Sequence, residues 1–204
     1  MKLLSLKKNN PRESGELKIE FSDNPILILS TDYIKSDINL DSWEEGRELS
    51  PIEEEELFYA ADCYKAEKTA LRLIARAEQS SFGLTAKLIR KGTDASVAND
   101  VIQKLIAKRL LDDIRYAELW VRSSLKKKSS SPLKLLSSLG KRGVDRSSSK
   151  KVLENILDEE TEYSLLLGFL EKIDISEINS GSLRSQLKHE GFSRIVIDRY
   201  FDSL

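Results

Sequence analysis

Leu135-Leu136-Ser137-Ser138-Leu139-Gly140-Lys141-Arg142-Gly143-Val144-Asp145 sets leucines eight and four positions ahead of Gly143, and the same triplet recurs as Leu84, Leu88, Gly92 and as Leu183, Leu187, Gly191. Residues four apart share one face of a helix, so each leucine pair marks an apolar stripe. A glycine one turn further on is the residue that most readily takes the left-handed backbone that closes a helix. Nine, ten and thirteen positions past each glycine stand Val101, Ile102 and Leu105, then Val152, Leu153 and Ile156, then Tyr200, Phe201 and Leu204. They place a further helix in each unit. The glycines lie 51 and 48 residues apart, which leaves room for three helices per repeat.

The helix that opens each later repeat reads from 112 to about 127, with Tyr116, Ala117, Trp120 and Val121 inward, and from 160 to about 171, with Leu166, Phe169 and Leu170 inward. Asp112 and Thr161 are the expected caps. The first repeat opens at Ser50-Pro51, a capping serine followed by a proline suited to the first helical position, with Glu53 to Glu56 near the positive end of the helix. Leu57, Ala60, Ala61, Tyr64, Leu71, Ile74 and Ala75 carry its apolar spacing, and Ser80 and Ser81 mark its expected end. The stretch 126–132 ends in serines and a proline, which predicts a short turn into the next helix rather than a tether.

Upstream of residue 50 the period changes to two. Lys2 to Leu6, the alternation of Leu17, Ile19 and Phe21 with Lys18 and Glu20, and the run Ile26-Leu27-Ile28-Leu29 read as three strands, separated by Asn9-Asn10-Pro11, Ser14-Gly15 and Ser22-Asp23-Asn24-Pro25. Three short strands are marginal alone, so this antiparallel meander is expected to pack on something. The fold is therefore mainly α, with a small N-terminal antiparallel β segment. The expected division is 1–49 for that segment and its acidic linker, then three-helix repeats over 50–110, 111–158 and 159–204.

The chain has 204 residues, 33% charged and 40% hydrophobic, with a net charge of -1. That is the balance of a folded globular protein. One cysteine, Cys63, excludes an internal disulfide, and one histidine, His189, leaves little from which to build a zinc cluster; His189 reads as a helix-end residue. No P-loop and no nucleophile elbow is present, and Asp112-Asp113 reads as a helix start rather than an acid-base pair. No enzyme, cofactor or metal is expected. The N-terminal apolar stretch is too short for a signal peptide and no run is long enough to span a membrane, so a cytoplasmic protein is expected.

Charge is segregated along the chain. Residues 41–57 hold eight acids against Arg47, and residues 121–151 hold ten bases against Asp145. With the leucine pairs turned inward, Lys87, Arg90, Lys91, Lys134, Lys141 and Arg142 fall on other faces, and Arg76, Arg115, Arg122 and Lys126 extend the basic stripe from the opening helices. These ten are the candidate contacts for a long anionic partner such as single- or double-stranded DNA or an acidic filament groove. Glu190 replaces the basic residue beside the third glycine, so the third repeat is expected to dock more through shape or acidic partners. Tyr116 and Trp120 read as core residues rather than base-stacking platforms.

The sequence resembles the RecX family, most clearly in Ala70-Leu71-Arg72-Leu73-Ile74-Ala75-Arg76 and in Leu110-Leu111-Asp112-Asp113-Ile114-Arg115-Tyr116-Ala117-Glu118-Leu119-Trp120-Val121-Arg122-Ser123. Pro132, Leu139 and Lys141-Arg142-Gly143-Val144-Asp145 follow at the family's spacing, so the resemblance runs from about Leu57 to the end. It departs at Ser129-Ser130-Ser131, where the family usually has a glycine-rich turn containing an aromatic, and at Leu133-Lys134, where paired bases are common. The β segment resembles extensions found in part of the family only. The resemblance implies tandem three-helix repeats in an elongated, curved array. It further implies a monomer without cofactor that binds the groove of the RecA filament and limits filament extension, ATPase, strand exchange and co-protease activity. From the residues alone two rivals stand beside it: a helix-turn-helix-like DNA-binding regulator, whose second helices however lack a cluster of Asn, Gln and Arg at their start, and a scaffolding repeat protein.

Overall fold

The structure, a computed structural model, describes residues 1–8, 15–34, 38–127, 130–173 and 178–204. The chain divides into two compact units, Met1–Ala77 with Leu84–Leu111, and Glu78–Gly83 with Asp112–Leu204.

In the first unit, β1 (Leu3–Lys8), β2 (Glu16–Phe21) and β3 (Asn24–Ser30) form an antiparallel sheet in that order, with Leu6 opposite Ile19 and Ile19 opposite Leu27. The period of two puts Leu17, Ile19 and Phe21 on one face, buried with Leu3, Leu27 and Leu29. That face is covered by Leu57 and Ala60 of α1 (Pro51–Ile74), which is what the lone meander required. Ser50 and Glu53 close a reciprocal capping box at the start of α1. The Ser50 backbone N–H holds the Glu53 carboxyl below the usual carboxylate range.

Helix α1 stops at Ile74, short of the serines expected to end it. Ser80 and Ser81 instead open the next helix: the Ser80 hydroxyl accepts the Gly83 N–H, and α2 spans Ser81–Arg90. Serines cap starts better than they mark ends. Helix α3 (Ala95–Ala107), capped by Asp94, completes a core of Ala66, Ala70, Leu84, Leu88, Val101 and Leu105. Cys63 lies in that core, where burial pushes its thiol up to about 11, so it is no nucleophile.

The second unit carries α4 (Asp113–Leu125), α5 (Pro132–Gly140), α6 (Arg146–Ile156), α7 (Glu159–Leu170), α8 (Ser180–His189) and α9 (Arg194–Asp202). Asp112 caps α4 as expected. Thr161 does not cap α7: Asp158 does, by accepting the Thr161 N–H at 2.8 Å. Ser131 caps α5 with Pro132 at its first position, while residues 128–129 of the preceding turn lie outside the described residues. All six leucines of the triplets are buried. Leu204 is not core; at 84% exposure it lies beyond α9, and Val196, Ile197 and Tyr200 fill that place.

The three glycines take φ of +90, +83 and +87° at positions 92, 143 and 191. After each of them the next N–H returns to the carbonyl of the second leucine, at 3.1 Å (Thr93 to Leu88), 3.2 Å (Val144 to Leu139) and 3.2 Å (Phe192 to Leu187). Leucine and glycine thus belong to one closure, which is why they recur together. Among the described residues no helix is long and apolar enough to cross a membrane, and no group of three or more His, Cys, Asp or Glu could hold a metal ion.

Candidate functional site

Six of the ten basic candidates lie in the second unit. Arg122 is exposed on α4 and Lys126 stands at its C-cap; Lys134 is exposed on α5 and Lys141 stands at its C-cap. Arg122, Lys126 and Lys141 stand at the negative ends of their helices, where cations are favoured, while Lys134 stands in the first turn of α5. Arg142 is held instead of free. Its guanidinium lies 4.3 Å over the Trp120 ring, its Nη1 donates to the Ser138 carbonyl at 2.8 Å, and its own carbonyl accepts the Ser80 hydroxyl at 2.9 Å. Arg115 is also engaged, with Nε 2.8 Å from Glu78 Oε1, and that carboxylate raises the Arg115 pKa. Trp120 and Tyr116 are half-buried at the edge of the core, so Trp120 serves as a platform for Arg142.

The other four lie in the first unit. Arg76 is exposed after α1, Lys87 and Arg90 occupy the last turn of α2, and Lys91 begins the turn that contains Gly92. Lys91 lines a cleft together with Lys65 and Arg72 of α1, two bases that were not among the candidates. Arg146, Lys150 and Lys151 of α6 are exposed as well and belong to the same basic stretch of sequence.

One charged cluster was not legible in the sequence. The Lys104 ammonium on α3 lies 2.8 Å from Asp32, 3.5 Å from Glu67 of α1 and 3.5 Å from the Tyr33 ring centroid, and Lys108 also reaches Asp32, at 3.1 Å. The Lys104 hydrogen bond holds the Asp32 carboxyl below its ordinary range, and burial, followed by the Glu67 charge, pushes the Tyr33 hydroxyl far above its own. The cluster binds the residues after β3 to α1 and α3, a structural task rather than a chemical one.

Three-helix repeats closed by left-handed glycines, bearing exposed bases at their helix ends and a sheet on the first long helix, define a helical-repeat protein. The model of the RecX first three-helix domain matches residues 66–105. Regulatory protein RecX of Treponema pallidum (strain Nichols) is 33% identical over 141 residues, covering 69% of this chain and 86% of that one. The chain belongs to the RecX family. Regulatory protein RecX of Geobacillus kaustophilus is 30% identical over 161 residues, covering 76% of this chain and 59% of its own. Among solved structures, a crystal structure of regulatory protein RecX superposes with a TM-score of 0.69 at 17% identity over 98% of both chains. RecX from Lactobacillus salivarius superposes at 0.57 with 23% identity over 71% of this chain and 97% of that one. At those identities the structures speak to the fold.

Proposed function

We propose that this chain is a negative modulator of the RecA recombinase, a binding protein without catalytic step or cofactor, that docks in the groove of the RecA–DNA filament in the cytoplasm. In this reading residues 50–110, 111–158 and 159–204 act as three modules, and the bases named above meet the acidic filament or its DNA. The observation that carries it is the set Arg122, Lys126, Lys134 and Lys141, four exposed cations on capped, short helices of a chain that belongs to the RecX family. Several filament subunits bound at once would multiply weak single contacts into a tight one. Filament extension, ATP hydrolysis, strand exchange and co-protease activity would fall together, because each depends on the groove.

The helix-turn-helix alternative fares worse. A reading helix enters the major groove by its N-terminal residues. In α5 those residues, Ser131 and Pro132, are buried. The test is inhibition of RecA's DNA-dependent ATP hydrolysis by the purified protein. Wild type is expected to inhibit, and combined Lys87→Glu, Arg90→Glu, Arg122→Glu and Lys141→Glu is expected to weaken inhibition by at least tenfold, ~1.4 kcal/mol in the binding step. No inhibition by wild type, with sequence-specific duplex binding in its place, would favour the alternative.

A further inference from the structure

Two contacts inside the second unit repeat one another. In the first, Ser80-Ser81-Phe82 is set against the turn at Gly143. The Ser80 hydroxyl donates to the Arg142 carbonyl at 2.9 Å, and the Ser81 N–H and hydroxyl both donate to the Asp113 carboxylate. Phe82 lies so close over Gly143 that a Cβ there would stand 2.1 Å from the Phe82 Cβ. In the second, Ser131-Pro132-Leu133 is set against the turn at Gly191. The Ser131 hydroxyl donates to the Glu190 carboxylate, the Leu133 N–H donates to the Glu190 carbonyl at 3.0 Å, and Pro132 and Leu133 cover the glycine. Each is a plug and a socket. The plug is a serine-capped helix start with a bulky apolar residue two places past the cap. The socket is a left-handed glycine, the carbonyl of the residue before it, and a nearby carboxylate.

The first repeat has a matching socket over which no described residue lies. Asp62 precedes Gly92 by thirty residues, as Asp113 precedes Gly143, and Lys91 stands where Arg142 does. Asp62, Lys91 and Gly92 are all exposed, and a Cβ built on Gly92 meets nothing within 4 Å. A cleft of about 460 Å³ opens there, walled by Asp62, Lys65, Thr69, Arg72 and Lys91.

The chain also carries a plug that, among the described residues, sits on no glycine turn. Ser50-Pro51-Ile52 repeats the pattern of Ser131-Pro132-Leu133. Ser50 sits at φ -71°, ψ 157° and Ser131 at φ -69°, ψ 157°, and each hydroxyl accepts its helix's third N–H at 3.3 Å. Ile52, in the place of Leu133, is 76% exposed. These two parts cannot meet within one molecule, because the plug and the Asp62 wall of the socket both belong to α1, and Asp62 lies eleven residues, ~16 Å, along a rigid helix from Pro51. Their charges match across molecules. Glu53, Glu54, Glu55 and Glu56 follow the plug, while around the socket Lys65, Arg72 and Lys91 outnumber Asp62 and Asp94.

We propose that a second copy of this chain seats the start of its α1 on the Gly92 turn of the first, Ile52 over the glycine, Ser50 on the Lys91 carbonyl or the Asp62 carboxylate, and its acidic first turns against the basic rim. The contact is head-to-tail, so a pair of copies keeps one plug and one socket open to further copies. In this reading the chain associates, where the sequence led to the expectation of a monomer. The third repeat cannot supply the plug, since Gly181 stands where Phe82 and Leu133 do.

Sedimentation equilibrium of the full chain tests this. The weight-average mass is expected to rise above the monomer with concentration at low salt and to fall back as the Debye length shrinks from ~14 Å to ~4 Å with added salt. Ile52→Asp removes the plug and Gly92→Asn, tolerable at positive φ, fills the socket; each alone is expected to stay monomeric with an unchanged circular dichroism spectrum. An equimolar mixture of the two is expected to form a species of two chains and no larger, because one plug and one socket remain intact between them. A monomer at every concentration, association undiminished in the variants, or a mixture that stays monomeric would each overturn the proposal.

Discussion

The three turn glycines share one backbone conformation and differ in what lies over them. At Gly92 an alanine would meet no neighbour and suffers only the left-handed backbone, about 1 kcal/mol. At Gly143 the added Cβ would stand 2.1 Å from Phe82, which must move, adding about 1–3 kcal/mol of overpacking. Gly191 falls between, since its Cβ would stand 3.3 Å from the Leu133 backbone nitrogen, which yields less readily than a side chain but has less to yield. Urea unfolding of Gly92→Ala, Gly191→Ala and Gly143→Ala is expected to rank them in that order of rising cost, with equal costs counting against the contacts just described. The sequence reveals the positive φ through glycine's recurrence alone. It does not reveal the overlying residue, because Phe82 and Gly143 are 61 positions apart and no local pattern joins them.

Helices were legible where periodicity met capping chemistry, as at Ser50, Asp112 and Ser131, and misread where a polar residue could serve either end, as at Ser80 and Thr161. The tie between the β segment and the helices was not legible at all. Asp32 meets Lys104 and Lys108 across more than seventy residues, so nothing in the spacing marks them as partners. Because the folded Asp32 has a lowered pKa, its contribution is fully present above the unfolded value near 3.8 and is lost as the pH falls through the lower folded value. Asp32 is 46% exposed in its side chain, so solvent screening limits the effect to about 1 kcal/mol. Asp32→Asn is therefore expected to be less stable than wild type at pH 7 and to match it well below pH ~3, as read by denaturant midpoints at the two values. A difference independent of pH would mean that packing, not charge, ties this segment down.

At the scale of the whole chain, a net charge of -1 conceals a division of labour between an acidic stretch that feeds α1 and bases collected at helix ends. The candidate bases were legible as exposed positions once the leucine pairs fixed the inward face. Which of them are spoken for was not, since Arg115 and Arg142 are occupied by Glu78 and Trp120. That distinction separates two kinds of partner. If the second unit meets nucleic-acid phosphates directly, each exposed base that touches one contributes about 0.9 to the slope of log affinity against log salt. Reversing Arg122, Lys126, Lys134 or Lys141 would then lower that slope by about one apiece, uniformly across sequences, while Arg142→Gln, already stacked on its tryptophan, would lower stability more than the slope. If the groove of a protein filament is the partner, the same reversals slow association and leave a shallower salt dependence. Titrating the chain and the four reversals against labelled single-stranded DNA, with and without RecA, over a range of salt is expected to give the shallow response that the filament reading requires; slopes that fall by one per reversal in the absence of RecA would move the direct contact from protein to DNA.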